Sequence, residues 1–96
     1  MTLEEIRRSK RERILAIASS HGASNVRVFG SYSRNEASPL SDIDFLVELE
    51  PGRSLMDLGG FLMDVQQELG MRADVATERM LRPEVRSRAL AEAVPL

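Results

Sequence analysis

Two aspartates, Asp42 and Asp44, stand two residues apart, and the pair Gly30-Ser31 precedes them by ten intervening residues. On a β-strand, residues i and i+2 face the same way with Cα atoms roughly 6.5–7 Å apart, so both carboxylates share one rim. Like charges held that close repel unless something cationic lies between them. An oxygen-only donor set suits a hard divalent ion, Mg²⁺ or Mn²⁺, rather than zinc. A third carboxylate, Asp74, can complete a clamp for two ions about 3.5–4 Å apart, the arrangement that serves in-line displacement at phosphorus. Gly30-Ser31 offers the other half of such a site. Glycine lets the backbone approach a phosphate, while the serine hydroxyl and the following N–H groups can bond its oxygens. Arg34 is placed to neutralise charge accumulating there.

These residues need elements to hold them. Thr2-Leu3-Glu4-Glu5 is a capping box, so a helix begins at once, with Leu3, Ile6, Ile14, Ile17 and Ala18 on one face. His21-Gly22 ends it, Gly22 being free to take the left-handed C-cap conformation. The β-branched and aromatic run 26–29 predicts a strand that stops at Gly30-Ser31. Residues 42–50 alternate without a break: Ile43, Phe45, Val47 and Leu49 point one way, and Asp42, Asp44, Leu46, Glu48 and Glu50 the other. Pro51-Gly52 turns that strand. Ser54 caps a helix with the apolar stripe Leu55, Leu58, Leu62, Val65 and Leu69, and Gly70 lies past its end. Gly59 and Gly60 weaken this helix, and close packing against the sheet is a reason to keep them. Residues 71–77 form a third short strand, with Arg72, Asp74 and Ala76 on one face, and Pro83 opens a final helix through Ala93.

Topology follows from the site. Gly30-Ser31 ends the first strand and Asp42 starts the second, so a shared site requires these two strands to run antiparallel. A crossover helix after Glu50 then favours parallel pairing of the second and third strands, which brings Asp74 beside the Asp42/Asp44 face. The expected architecture is α/β (α+β), a small mixed sheet of about three to four strands flanked by helices.

Composition narrows the functions. Ninety-six residues predict one domain over 1–96, and 43% hydrophobic with 29% charged residues is a globular balance. Thirteen Lys+Arg against fifteen Asp+Glu give a net charge of −2, which provides no global basic field for nucleic acid. Without cysteine there is no disulfide scaffold, thiolate zinc site or cysteine nucleophile, and the expected compartment is the cytoplasm. No apolar run approaches the ~18 residues of a membrane-spanning helix.

Plainer readings stand beside several of these residues. Arg72 can satisfy Asp74 as an ordinary ion pair, and Glu48 and Glu50 lie further along the strand as solvated carboxylates. Tyr32 can pack or stack on a base, His21 belongs to a helix-ending turn, and the basic run 7–13 is a solvated helix face. Met56, Met63, Met71 and Met80 are expected as core gap-fillers.

Gly30-Ser31-Tyr32-Ser33-Arg34 followed by Ser41-Asp42-Ile43-Asp44-Phe45-Leu46-Val47 resembles the signature of the polymerase-β-like nucleotidyltransferase superfamily. The short chain, Pro51-Gly52-Arg53-Ser54-Leu55, Ala73-Asp74-Val75 and Glu92-Ala93-Val94-Pro95-Leu96 resemble more specifically the minimal nucleotidyltransferases, antitoxin partners of HEPN ribonuclease toxins. The resemblance implies that Gly30, Ser31 and Arg34 hold the nucleotide triphosphate. It implies that Asp42, Asp44 and Asp74 are catalytic and bind Mg²⁺ or Mn²⁺, with Asp74 activating the incoming hydroxyl. Asn35 replaces the glycine common after this arginine, and asparagine tolerates the left-handed geometry the turn needs. The implied reaction is transfer of AMP from ATP to a hydroxyl of a HEPN toxin, in a hetero-oligomer or with a second copy of the chain. Two other functions compete: a non-catalytic antitoxin acting by occlusion, and a nucleotidyltransferase for a small molecule or RNA.

Overall fold

The computed structural model describes residues 1–96. The capping box at Thr2 forms as its residues dictate: Thr2 Oγ1 accepts the Glu5 N–H at 3.2 Å, and the Glu5 carboxylate accepts the Thr2 N–H at 2.9 Å. It starts α1 (Leu3–Ser20), capped at its far end by His21, after which Gly22 adopts φ +72°. The chain continues through β1 (Ala23–Phe29), a 3₁₀ turn (Gly30–Tyr32), β2 (Ile43–Leu49), α2 (Leu55–Leu69), β3 (Ala73–Ala76), a second 3₁₀ turn (Glu78–Met80), α3 (Pro83–Glu92) and β4 (Val94–Pro95). No helix is long and apolar enough to cross a membrane.

The strands form one mixed sheet in the order β3-β2-β1-β4. β1 pairs antiparallel with β2 and with β4, and β2 pairs parallel with β3, as the placement of the site requires. β1 begins three residues before the expected start at residue 26, with a register shift between Ser24 and Arg27 and Asn25 at φ +48°. Ala23, Ser24 and Asn25 carry no strand preference of their own; pairing with β2 imposes it.

One sheet face packs on α1 and α2, where Ile43, Phe45 and Val47 are buried with Ile6, Ile14, Leu58 and Phe61. Phe45 and Phe61 meet edge to face with ring centroids 5.8 Å apart. The stripe of α2 is rotated from expectation. Leu55 is 71% exposed and Leu62 only partly covered, while Phe61, absent from the expected stripe, is fully buried. Leu55 is the first helical residue after the Ser54 cap, beyond the reach of the sheet; Phe61 keeps phase with Leu58, Val65 and Leu69.

One further expectation holds with a difference in burial, and two are corrected. Leu46, expected on the polar face, is on it but fully buried, outside the main core, directly opposite Arg27 across the β1–β2 ladder. Met56, Met63 and Met80 are exposed; of the methionines expected to fill gaps, only Met71 packs against the core. The glycines of α2 are not explained by the sheet: a Cβ at Gly59 would meet open space, and one at Gly60 would come within 2.6 Å of the His21 ring, which hydrogen-bonds Asp64 at 2.7 Å.

Candidate active site

Gly30 closes β1 at φ +76°, a conformation open to glycine, and its Cα faces the Asp44 carboxylate so closely that a Cβ would collide with Oδ2. The turn then folds inward. The N–H groups of Ser33 and Arg34 both donate to the Gly30 carbonyl, and so does the Ser33 hydroxyl at 2.8 Å. Those two N–H groups are therefore consumed by the turn itself. Asn35 takes the left-handed φ of +58° that its residue type tolerates.

The ladders bring the three carboxylates together. Phe29 opposes Asp44 across β1–β2, and Asp44 opposes Asp74 across β2–β3. Neighbouring strands lie about 4.8 Å apart, so Asp44 stands between the Gly30 turn and Asp74 on one sheet face. Asp42, Asp44 and Asp74 line a shallow recess of about 580 Å³ with Gly30, Ser31, Arg34 and Leu40. A larger hollow of about 790 Å³ lies at the other end of β2. It is bordered by Glu48, Glu50 and Glu78, and none of the expected site residues reaches it.

Burial, together with the Asp74 and Asp42 charges, pushes the Asp44 carboxyl up to about 6; Arg34 partly offsets this and Glu92 adds to it. Arg72 does not serve Asp74. Its guanidinium, 86% exposed, lies 3.7 Å from Asp42, and Asp74 has no ion-pair partner. The donor chemistry thus fits a divalent cation: three carboxylates on one recess, two of them raising the pKa of the third. No three acidic side chains are gathered closely enough to grip an ion as they stand, so the carboxylates would have to close on it. Tyr32 is buried, its hydroxyl 3.9 Å from Met71 Sδ, which settles it as a packing residue.

Glu92, at the end of α3, was given no role by sequence reasoning. Its carboxylate accepts the Gly30 N–H at 3.3 Å with one oxygen and Arg34 Nη1 at 2.9 Å with the other. Arg34 Nε also donates to Glu36 at 2.7 Å, and the two carboxylates raise the arginine's pKa further. The one available signal was a glutamate ending a helix directly before Val94-Pro95-Leu96.

The Gly30-Ser31 turn thus lies beside Asp44 on the central strand β2, with Asp42 immediately before that strand and Asp74 on its parallel neighbour. The chain belongs to the nucleotidyltransferase domain family, which it matches over residues 8–96. It is similar to a candidate minimal nucleotidyltransferase of known structure, at 45% identity and a TM-score of 0.87, covering 100% of this chain and 97% of that one. A candidate protein adenylyltransferase of Methanocaldococcus jannaschii is 40% identical over 94 residues, 98% of this chain and 97% of that protein. The protein adenylyltransferase MntA of Thermococcus cleftensis is 32% identical over 94 residues, 98% and 95% of the two chains. The fold also matches a toxin–antitoxin structure with AMP-PNP at a TM-score of 0.76 and 16% identity, covering 90% of this chain and 71% of that one.

Proposed function

We propose that residues 1–96 form a single minimal domain that transfers AMP from ATP to a hydroxyl of a HEPN ribonuclease toxin, acting as its antitoxin in a metal-dependent reaction. The observation that carries this reading is the register Phe29–Asp44–Asp74, which sets the Gly30 turn, the half-buried Asp44 and the unpaired Asp74 carboxylate side by side. Asp42, Asp44 and Asp74 are the residues to hold Mg²⁺ or Mn²⁺, which when bound neutralises phosphate charge and lowers the pKa of the attacking hydroxyl. Gly30 lets the triphosphate approach the backbone, Ser31 donates its hydroxyl, and Arg34 offsets charge on the leaving pyrophosphate. Asp74, free of ion pairing, is positioned to take the proton of the incoming hydroxyl as its oxygen bonds the α-phosphorus. ATP as donor sets the reaction in the cytoplasm. The names of the relatives support the protein substrate, and exposed Leu55, Met56 and Met63 on α2 support docking to another chain.

The test is incubation with α-labelled ATP and Mg²⁺ beside the product of the neighbouring gene, followed by intact mass of both proteins. Added AMP on the partner, with loss of its RNase activity, is the expected result. A partner silenced without added mass would replace this reading with occlusion. Within the site, Ser31→Ala is expected to weaken binding of a non-hydrolysable ATP analogue by about 2- to 12-fold, the worth of one neutral hydrogen bond. Isothermal titration measures it, and unchanged affinity would mean that Ser31 faces away from the phosphates.

A further inference from the structure

Glu92 is a carboxylate placed where carboxylates are already in excess. It stands close enough to Asp44 to help raise that group's pKa, and a fourth negative charge beside three others is unfavourable by itself. Two contacts offset this: the Gly30 N–H and the Arg34 guanidinium, taken by the two oxygens of one planar group. Both belong to the turn that the proposed function assigns to phosphate. We infer that Glu92 occupies the contacts on Gly30 and Arg34 that a phosphate would take and must be displaced when nucleotide binds, so that it sets the affinity of the site; this rests on the nucleotide reading above.

The surroundings make displacement a side-chain event. Immediately after Glu92, β4 pairs with Arg27 and Val28 of β1, the Leu96 N–H donates to the Val26 carbonyl at 3.0 Å, and Leu96 is buried. The backbone that carries Glu92 is therefore tied to the sheet. The side chain has somewhere to go. Arg88 lies one turn back on α3, lines the same cavity of about 150 Å³ as Gly30, Arg34 and Glu92, and makes no ion pair. Residues i and i+4 on a helix are neighbours, so Glu92 can exchange Arg34 for Arg88 as a phosphate arrives. Competition of this kind penalises a weakly charged ligand more than a triphosphate, because only the latter brings enough charge to win the guanidinium.

A competitor and a scaffold give opposite signs on removal. Glu92→Gln keeps the shape and an acceptor for the Gly30 N–H but gives up the charge on Arg34. It should bind a non-hydrolysable ATP analogue with Mg²⁺ about 5-fold more tightly than wild type, the factor a partly exposed ion pair is worth. In an Arg34→Gln background the same change should alter affinity less than about 2-fold, since the contested donor is gone. Isothermal titration on all four proteins reads both numbers. Equal or weaker binding by folded Glu92→Gln, with wild type binding normally, overturns the inference and leaves the proposed function standing. No binding by either protein removes both. Should Glu92→Gln fail to fold, the carboxyl ¹³C resonance of Glu92 in wild type decides: it must move when analogue is added, and a fixed resonance overturns the inference.

Discussion

Asp44→Asn is expected to lower AMP transfer at least ~100-fold while making the metal-free protein more stable, and the two effects share one origin. Asp44 is half-buried between the Gly30 turn and Asp74, and its pKa is raised from 3.8 to about 6 by burial and by the neighbouring carboxylates. A folded-state pKa above the unfolded one means that the folded chain holds the proton more tightly. Ionising Asp44 therefore destabilises the fold, by an amount that grows as pH rises from about 4 to about 6 and is complete above that. Discounted for solvent screening of a group this exposed, the penalty is about 1–2 kcal/mol at pH 7. Asparagine removes it. Thermal melts in EDTA should show the variant above wild type by several degrees at pH 7.5, with the gap closing towards pH 4. The lost activity follows from the same charge, which in the proposed mechanism holds the cation. Wild-type transfer rates in a stabilised variant would remove Asp44 from that role; an unchanged melting temperature would mean that its burial carries no electrostatic strain.

Asp74→Asn is expected to separate chemistry from binding. Asp74 is exposed, paired with no cation, and held at the recess by its register with Asp44. Its substitution should leave the fold intact and nucleotide affinity within a few-fold. Transfer should fall ~100-fold or more, because proton removal from the incoming hydroxyl and a metal-binding charge are both lost. In cells that carry the toxin, growth should stop although the two proteins still co-purify. Growth rescue by Asp74→Asn with toxin of unaltered mass would defeat the catalytic account of neutralisation.

What the sequence disclosed and what it hid divide along physical lines. The alternation of residues 42–50, the capping residues Thr2 and Ser54, and the turn glycines are local signals, and each produced the element expected of it. The strand directions followed from asking how Gly30 and Asp42 can share a site, and the register of Asp44 with Asp74 agrees. Hidden features depend on distant partners. β4 is two residues long, one of them proline, and exists only because β1 offers an edge. The phase of α2, with Phe61 inward and Leu55 outward, is set by where the sheet meets the helix rather than by the apolar pattern alone. The link from Glu92 to Gly30 spans 62 residues and joins two segments with no shared pattern.

The position of β2 inside the sheet bears on how the site tolerates motion. It is paired with β1 on one side and β3 on the other, and Ile43, Phe45 and Val47 are wholly buried. Amides of such a segment exchange with solvent only when most of the fold opens. Asp44 thus rides on one of the slowest-breathing stretches of the chain. Leu40, 93% exposed, belongs to the segment between β1 and β2, which joins no strand of the sheet. Asp44 is thereby carried on slowly exchanging backbone, while the Leu40 side of the recess is bounded by chain that the sheet does not hold.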